Sequence, residues 1–206
     1  IGKTRLALQV AGQVLDAFAD GVFFVSLDGI GSPEFLILAI MEVLGYPLSG
    51  EASPKRQLLN YLHQKEMLLV LDNFEHLFSA PGGNDSGRDL LLEMVKAAPK
   101  LKVLVTSRER IDLQAEWLLP LQGLPYPPAE TPFGAETFEA VELFVQGANR
   151  VRPDFSLSAE WPEVVGICRL LDGMPLGIEL AATWVSMMPC VEIVRELSRG
   201  LDLLST

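Results

Sequence analysis

Met67-Leu68-Leu69-Val70-Leu71-Asp72 is an unbroken apolar run that ends on a carboxylate. Continuous rather than alternating apolarity fits a strand buried on both faces, the pattern of a parallel sheet covered by helices. Upstream, Val22 to Leu27 (VFFVSL) is a second short run, β-branched and aromatic and bounded by glycines; downstream, Lys102 to Thr106 (KVLVT) is a third and Trp117 to Leu121 a fourth strand candidate. Helical patterns separate them. Leu6, Val10, Val14 and Phe18 recur at helical spacing before the Asp20-Gly21 stop, and further helical stretches run from Pro33 to Leu44 and from Pro54 to Gln64. Another runs from about Asp85 to Ala98, after the loop Pro81-Gly82-Gly83-Asn84, with Leu90, Leu91, Met94, Val95 and Ala98 on one face. Short apolar strands alternating with amphipathic helices predict an α/β fold, a parallel sheet flanked by helices.

The pattern changes after Gly123. Leu124 to Pro132 carries four prolines and neither strand nor helix periodicity, which marks a linker over 124–132 between an α/β domain at 1–123 and a helical region at 133–200. In that region Phe138, Val141, Phe144, Val145 and Ala148 share one helix face, followed by Val164, Val165, Cys168 and Leu171 and then by the stretch Leu176 to Val185. A small all-helical bundle is the simplest packing of such faces.

The totals bound the function. The chain has 206 residues, 49% of them hydrophobic and 21% charged, the composition of a folded globular protein. Its longest apolar run, Phe35 to Met41, is too short to span a bilayer, and no cationic leader with an apolar stretch and cleavage site is present, so a soluble cytoplasmic protein is expected. A net charge of −11 offers no broad cationic field for a nucleic-acid backbone, and no direct nucleic-acid contact by this segment is expected. Cys168 and Cys190 are not spaced as metal ligands and read as buried small hydrophobes. His63 and His76 are too few and too far apart for a zinc site.

The chemistry concentrates at three places. Gly2-Lys3-Thr4, directly before an amphipathic helix, matches the last three residues of G-x-x-x-x-G-K-[ST]; in that loop backbone N–H groups converge on phosphates, the lysine neutralises their charge and the hydroxyl binds Mg²⁺. Asp72, at the end of the all-apolar strand, stands where P-loop proteins hold Mg²⁺, although the same residue reads equally as the start of a turn or the cap of a helix beginning near Asn73. Arg108 follows the next strand in Thr106-Ser107-Arg108; its bland alternative is a solvated surface cation, as its neighbour Arg110 reads. If the strands are parallel, all three fall at their carboxyl ends, where open α/β sheets bind ligands.

LLVLDNFEHL (Leu68 to Leu77), VLVTSRERI (Val103 to Ile111) and CRLLDGMPLGIELAA (Cys168 to Ala182) resemble, in order and spacing, the Walker B, sensor-1 and GxP elements of bacterial NB-ARC-like STAND ATPases, the AP-ATPase and transcription-regulator type. The resemblance covers essentially the whole chain. It implies a P-loop NTPase sheet whose first strand is missing, a helical lid subdomain, and, over 201–206, the start of a truncated winged-helix region. It also implies that Gly2, Lys3 and Thr4 bind phosphate, that Thr4 and Asp72 hold Mg²⁺, and that Arg108 senses the γ-phosphate. Arg5 is counted with the ATP/ADP-binding residues, and Pro175 packs on or beside the adenine. Lys3, Asp72 and Arg108 would carry any hydrolysis. The bland account of Gly173-Met174-Pro175 is a helix end followed by a helix start, and both accounts can hold together.

Because Ile1 begins inside the phosphate loop, the chain is expected to be a fragment whose sheet lacks a central strand and which binds nucleotide poorly by itself. Asn73 stands where a second acid would activate water, so hydrolysis is expected to be slow. Glu75 or His76 are substitutes, but each reads better as a first-turn helix residue facing solvent. The leading expectation is a regulatory switch, ADP-closed and ATP-open, with sensor and effector domains outside this segment and oligomerisation in the ATP-bound state. The alternatives are a P-loop ATPase or kinase whose turnover is its function, and a nucleotide-free interaction scaffold.

Overall fold

The computed structural model describes residues 2–78, 87–114, 116–134 and 138–204, the last four of these as backbone only. Three strands, β1 (Val22–Ser26), β2 (Leu68–Asp72) and β3 (Lys102–Val105), form a sheet in the order β1-β2-β3. Both pairings are parallel, with Ser26 opposite Asp72 and Leu71 opposite Val105. Eight α-helices accompany them among the described residues: α1 (Lys3–Gln13), α2 (Pro33–Val43), α3 (Pro54–Leu62), α4 (Gly87–Ala97), α5 (Glu139–Val151), α6 (Trp161–Leu170), α7 (Pro175–Thr183) and α8 (Cys190–Leu204).

The chain divides into two compact units, one of Lys3–Leu119 and the other of the stretch from Pro120 onward, with which Gly2 is grouped. In the first, β2 is the central strand and every one of its residues is buried. Alternate residues serve opposite faces, as the two-residue period of a strand requires. Leu69 and Leu71 join the large core with Leu36, Ile40, Leu58, Leu62, Leu90 and Met94 from α2, α3 and α4. Leu68 and Val70 face the other way, onto Ala7 and Ala11 of α1. Helices therefore cover both faces of the sheet, which is why β2 reads as a continuous apolar run. Ser32 and Ser53 accept hydrogen bonds from the backbone N–H of Phe35 and Arg56, capping α2 and α3 just ahead of a proline in the first turn.

Two expectations need correction. The stretch Trp117 to Leu121 forms no strand: Trp117 is 98% exposed, and Pro120 removes a ladder donor from the run. On α1 the buried stripe is Ala7 and Ala11, while Leu6 and Val10 are exposed, so the contact face is turned by about one residue. Small side chains let a helix lie close against a sheet, and a search for large apolar residues overlooks them. The loop Pro81 to Asn84 and the expected helix start at Asp85 lie outside the described residues. No helix among those described is long and apolar enough to cross a membrane.

The second unit is a helical bundle around Val141, Phe144, Ala148, Val164, Cys168, Ile178, Ala182 and Ile193. The proline-rich stretch packs onto it: Leu124 and Tyr126 lie against the core, and Trp161 Nε1 donates to the Thr131 carbonyl at 2.8 Å. Between α6 and α7, Gly173 adopts φ +64° and its carbonyl accepts from Leu124 N at 2.8 Å. A Cβ on Gly173 would stand 2.1 Å from the Leu124 carbonyl oxygen, so backbone meets backbone with no room for a side chain. Cys168 and Cys190 are free and buried, as their composition suggested; desolvation pushes the Cys168 thiol up to about 12 and raises that of Cys190 as well.

Gly173→Ala is expected to destabilise the protein by about 2–4 kcal/mol, combining left-handed strain with a backbone clash. Gly166→Ala is the control, because its added Cβ would meet Val194 at an ordinary 3.6 Å; it should be neutral or gain up to about 1 kcal/mol of helix propensity. Chemical denaturation of the two variants checks both. Native-state labelling with a thiol reagent should leave both cysteines unreacted at neutral pH until the chain is unfolded.

Candidate functional site

At the carboxyl end of the sheet the chain turns sharply after β2. Asn73 takes the left-handed conformation (φ 63°, ψ 46°), and a 3₁₀ turn over Phe74–Leu77 follows, with Phe74 and Leu77 fully buried. Asp72 caps no helix. Its carboxylate, in a residue only 4% exposed, receives the Thr4 hydroxyl, which lies 2.9 Å from both Oδ1 and Oδ2, and the Thr106 hydroxyl at Oδ1. Thr4 comes from the first turn of α1 and Thr106 from the residue after β3, so three separated segments meet on one buried carboxylate.

The meeting is fixed by backbone. Thr106 N donates to the Leu71 carbonyl and Phe74 N to the Thr106 carbonyl, both at 3.0 Å, while Asn73 N donates to Thr106 Oγ1 at 3.1 Å. Leu27 N donates to the Asp72 carbonyl at 3.0 Å from the β1 side. Isolated burial of an ionised carboxylate is costly, and paired hydroxyl donors are what make it tolerable.

Thr106 is a site residue that the sequence motifs do not single out. Its signal was available: a hydroxyl directly after an apolar strand that pairs in parallel with the strand ending in Asp72. Arg108 lies in the loop just beyond. Its side chain is 83% exposed, yet its Nε lies 3.3 Å from Glu75 Oε1, so it is ion-paired rather than merely solvated. Glu75 does not face solvent as its position in a first turn suggested; its side chain is 13% exposed. His76 beside it is exposed, as is Arg110. The Arg108 loop is held farther on by Glu116, whose carboxylate accepts from Ile111 N and Asp112 N at 3.4 and 2.9 Å.

Lys3 is partly exposed and Arg5 exposed in the first turn of α1, and Gly2 ahead of them has φ +76°. Pro175 belongs to the second unit, where it starts α7 behind the Met174 N-cap. Hard oxygen donors at Thr4 and Asp72 suit Mg²⁺, which takes one or two protein ligands and completes its shell with water and substrate phosphates. Among the described residues no group of three or more His, Cys, Asp or Glu could hold a metal as a protein-only cage. Pockets of about 400 Å³, lined by Phe133, Phe138 and Trp161, and about 320 Å³, lined by Pro33, Ile37 and Pro54, do not include Thr4, Asp72 or Arg108.

No protein-family model matches the chain. An uncharacterized protein of Mycobacterium tuberculosis is 34% identical over 208 residues, covering all of this chain and 48% of that protein. A protein of the same species named as an HTH-type transcriptional regulator is 36% identical, again over the whole of this chain but only 21% of its own length. The regulatory protein AfsR of Streptomyces griseus is 29% identical over 89% of this chain and 17% of its own. The chain thus spans about half the length of the first of these relatives and about a fifth of the regulators.

Removing the Thr106 hydroxyl tests how far Asp72 depends on it. Thr106→Val is expected to cost about 1–3 kcal/mol, since both a buried carboxylate and the Asn73 N–H lose a partner. Thr106→Ser keeps the hydroxyl and should lose about 1 kcal/mol or less for the missing methyl. Urea denaturation of the two variants gives the comparison.

Proposed function

We propose that this chain is the adenine-nucleotide-binding module of a regulatory ATPase, in which ATP and ADP stabilise different states and the difference is passed to a transcriptional output. The observation that carries the reading is the convergence of Thr4 and Thr106 on the buried Asp72 carboxylate at the carboxyl end of a parallel sheet. A Gly-Lys-Thr sequence alone is a common tripeptide. Here its threonine reaches a carboxylate 68 positions away in sequence, and that carboxylate ends the central strand.

In this reading Lys3 and the first N–H groups of α1, with Gly2 ahead of them, receive the phosphates, helped by the positive end of the helix dipole. Thr4 and Asp72 hold Mg²⁺, which neutralises charge on the phosphate oxygens when bound. Arg108 distinguishes the triphosphate from the diphosphate. Asn73 carries a carboxamide that cannot take a proton from water, so turnover is slow and the bound nucleotide works as a state marker rather than as fuel. The regulatory output is supported by the relatives named as an HTH-type transcriptional regulator and as the regulatory protein AfsR. A cytoplasmic location goes with that role.

Calorimetry on the full-length protein tests the reading. ADP and Mg·ATP should both bind, Lys3→Ala should weaken binding by about 10-fold or more, and turnover should stay below the 1–10³ s⁻¹ of ordinary enzymes. A folded protein that binds neither nucleotide would leave the scaffold alternative in its place.

A further inference from the structure

We propose that Glu75 is the positioning residue for Arg108: it holds the guanidinium by its Nε edge and leaves both Nη groups to meet the terminal phosphate of a bound triphosphate. The proposal rests on the nucleotide reading above and adds a residue to it.

Glu75 is built to hold something. It sits second in the 3₁₀ turn Phe74–Leu77, whose first and last residues are fully buried, so its backbone is fixed. Its Oε1 lies 3.3 Å from Arg108 Nε, while Oε2 is enclosed with no hydrogen-bond partner among the described residues. Arg108 is otherwise loose: its side chain is 83% exposed, and beyond this ion pair no hydrogen bond or other ion pair of its side chain is found among those residues. The two partners also share a frame. Phe74 N donates to the Thr106 carbonyl, so the residue before Glu75 is tied to the residue two before Arg108, and that tie adjoins the Asp72 cluster.

A free arginine loses much rotamer freedom when it clamps an anion. One already held by a rigid carboxylate has surrendered part of it, and binding is stronger by that amount. Contact through Nε is the arrangement that leaves the outer fork open for a phosphate, whose oxygens match two parallel N–H donors. ADP lacks the terminal phosphoryl group, so the benefit falls on the triphosphate alone. This also accounts for Glu75 without making it the base that activates water: its carboxylate is committed to a cation.

The test is nucleotide binding by the full-length protein and its Glu75→Ala, Glu75→Gln, Arg108→Ala and Glu75→Ala/Arg108→Ala variants. The probes are ADP and a non-hydrolysable ATP analogue with Mg²⁺, and the fold of each variant is checked by its thermal transition. Glu75→Ala should weaken the triphosphate analogue about 3- to 10-fold and leave ADP within about 2-fold. Glu75→Gln, which keeps an acceptor oxygen, should retain part of the preference. With Arg108 already replaced, loss of Glu75 should weaken nothing further. Equal loss of both nucleotides on Glu75→Ala would make Glu75 merely structural. Tighter triphosphate binding would make it a restraint that Arg108 must leave, and either result overturns the proposal. A wild-type protein that binds neither nucleotide ends the underlying reading as well; one that binds both, with variants failing as described, ends only this inference.

Discussion

A carboxylate buried at the end of a central strand has to be satisfied, and the first unit is organised around doing so. Asp72 is buried at the end of β2, and its hydroxyl donors come from the start of α1 and from the residue after β3. That requirement fixes where α1 begins relative to the sheet and how the chain leaves β3. It also explains the left-handed turn at Asn73, which sends the chain into the 3₁₀ turn and lets two backbone N–H groups reach Thr106. The start of α1, the turn after β2 and the exit from β3 toward Arg108 thus meet in one polar knot in an apolar setting.

The second unit rests on a different constraint, a crossing of two backbones. Leu124 passes so close to Gly173 that only glycine fits, and a Cβ on Gly123 would stand 2.0 Å from the Asp172 carbonyl oxygen. Tyr126 adds a hydrogen bond to the Asp172 carboxylate at 3.0 Å. The corner between α6 and α7 is thereby held in a fixed shape just before Pro175. Proline at the helix start and glycine at the preceding helix end account for that corner as local structure, whatever ligand it meets.

The strands and most helices were legible because their signals are short-range. A strand covered on both faces must be apolar at every position, and Leu68 to Leu71 are; caps and prolines mark where α2, α3 and α7 start. Placement of Asp72 and Arg108 at one sheet edge followed from the parallel order alone. The features that short-range signals do not carry depend on pairings across long separations in sequence. Thr106 matters only because β3 lies beside β2, and Glu75 is enclosed only because Phe74 and Leu77 drive its turn into the core. The face of α1 is hard to read because alanines, which carry the contact with the sheet, give a weak apolar signal, and Trp117 to Leu121 resembles a strand only as far as its hydrophobic run, which Pro120 interrupts.

In the proposed function Asp72 serves a bound cation rather than only closing a gap in the core. The direct measurement is the affinity for ATP with and without Mg²⁺, compared between the wild-type protein and Asp72→Asn. Wild-type affinity should rise on adding Mg²⁺, and that gain should vanish in Asp72→Asn. The same Mg²⁺ dependence in both proteins would mean that Asp72 and the hydroxyls around it are structure alone.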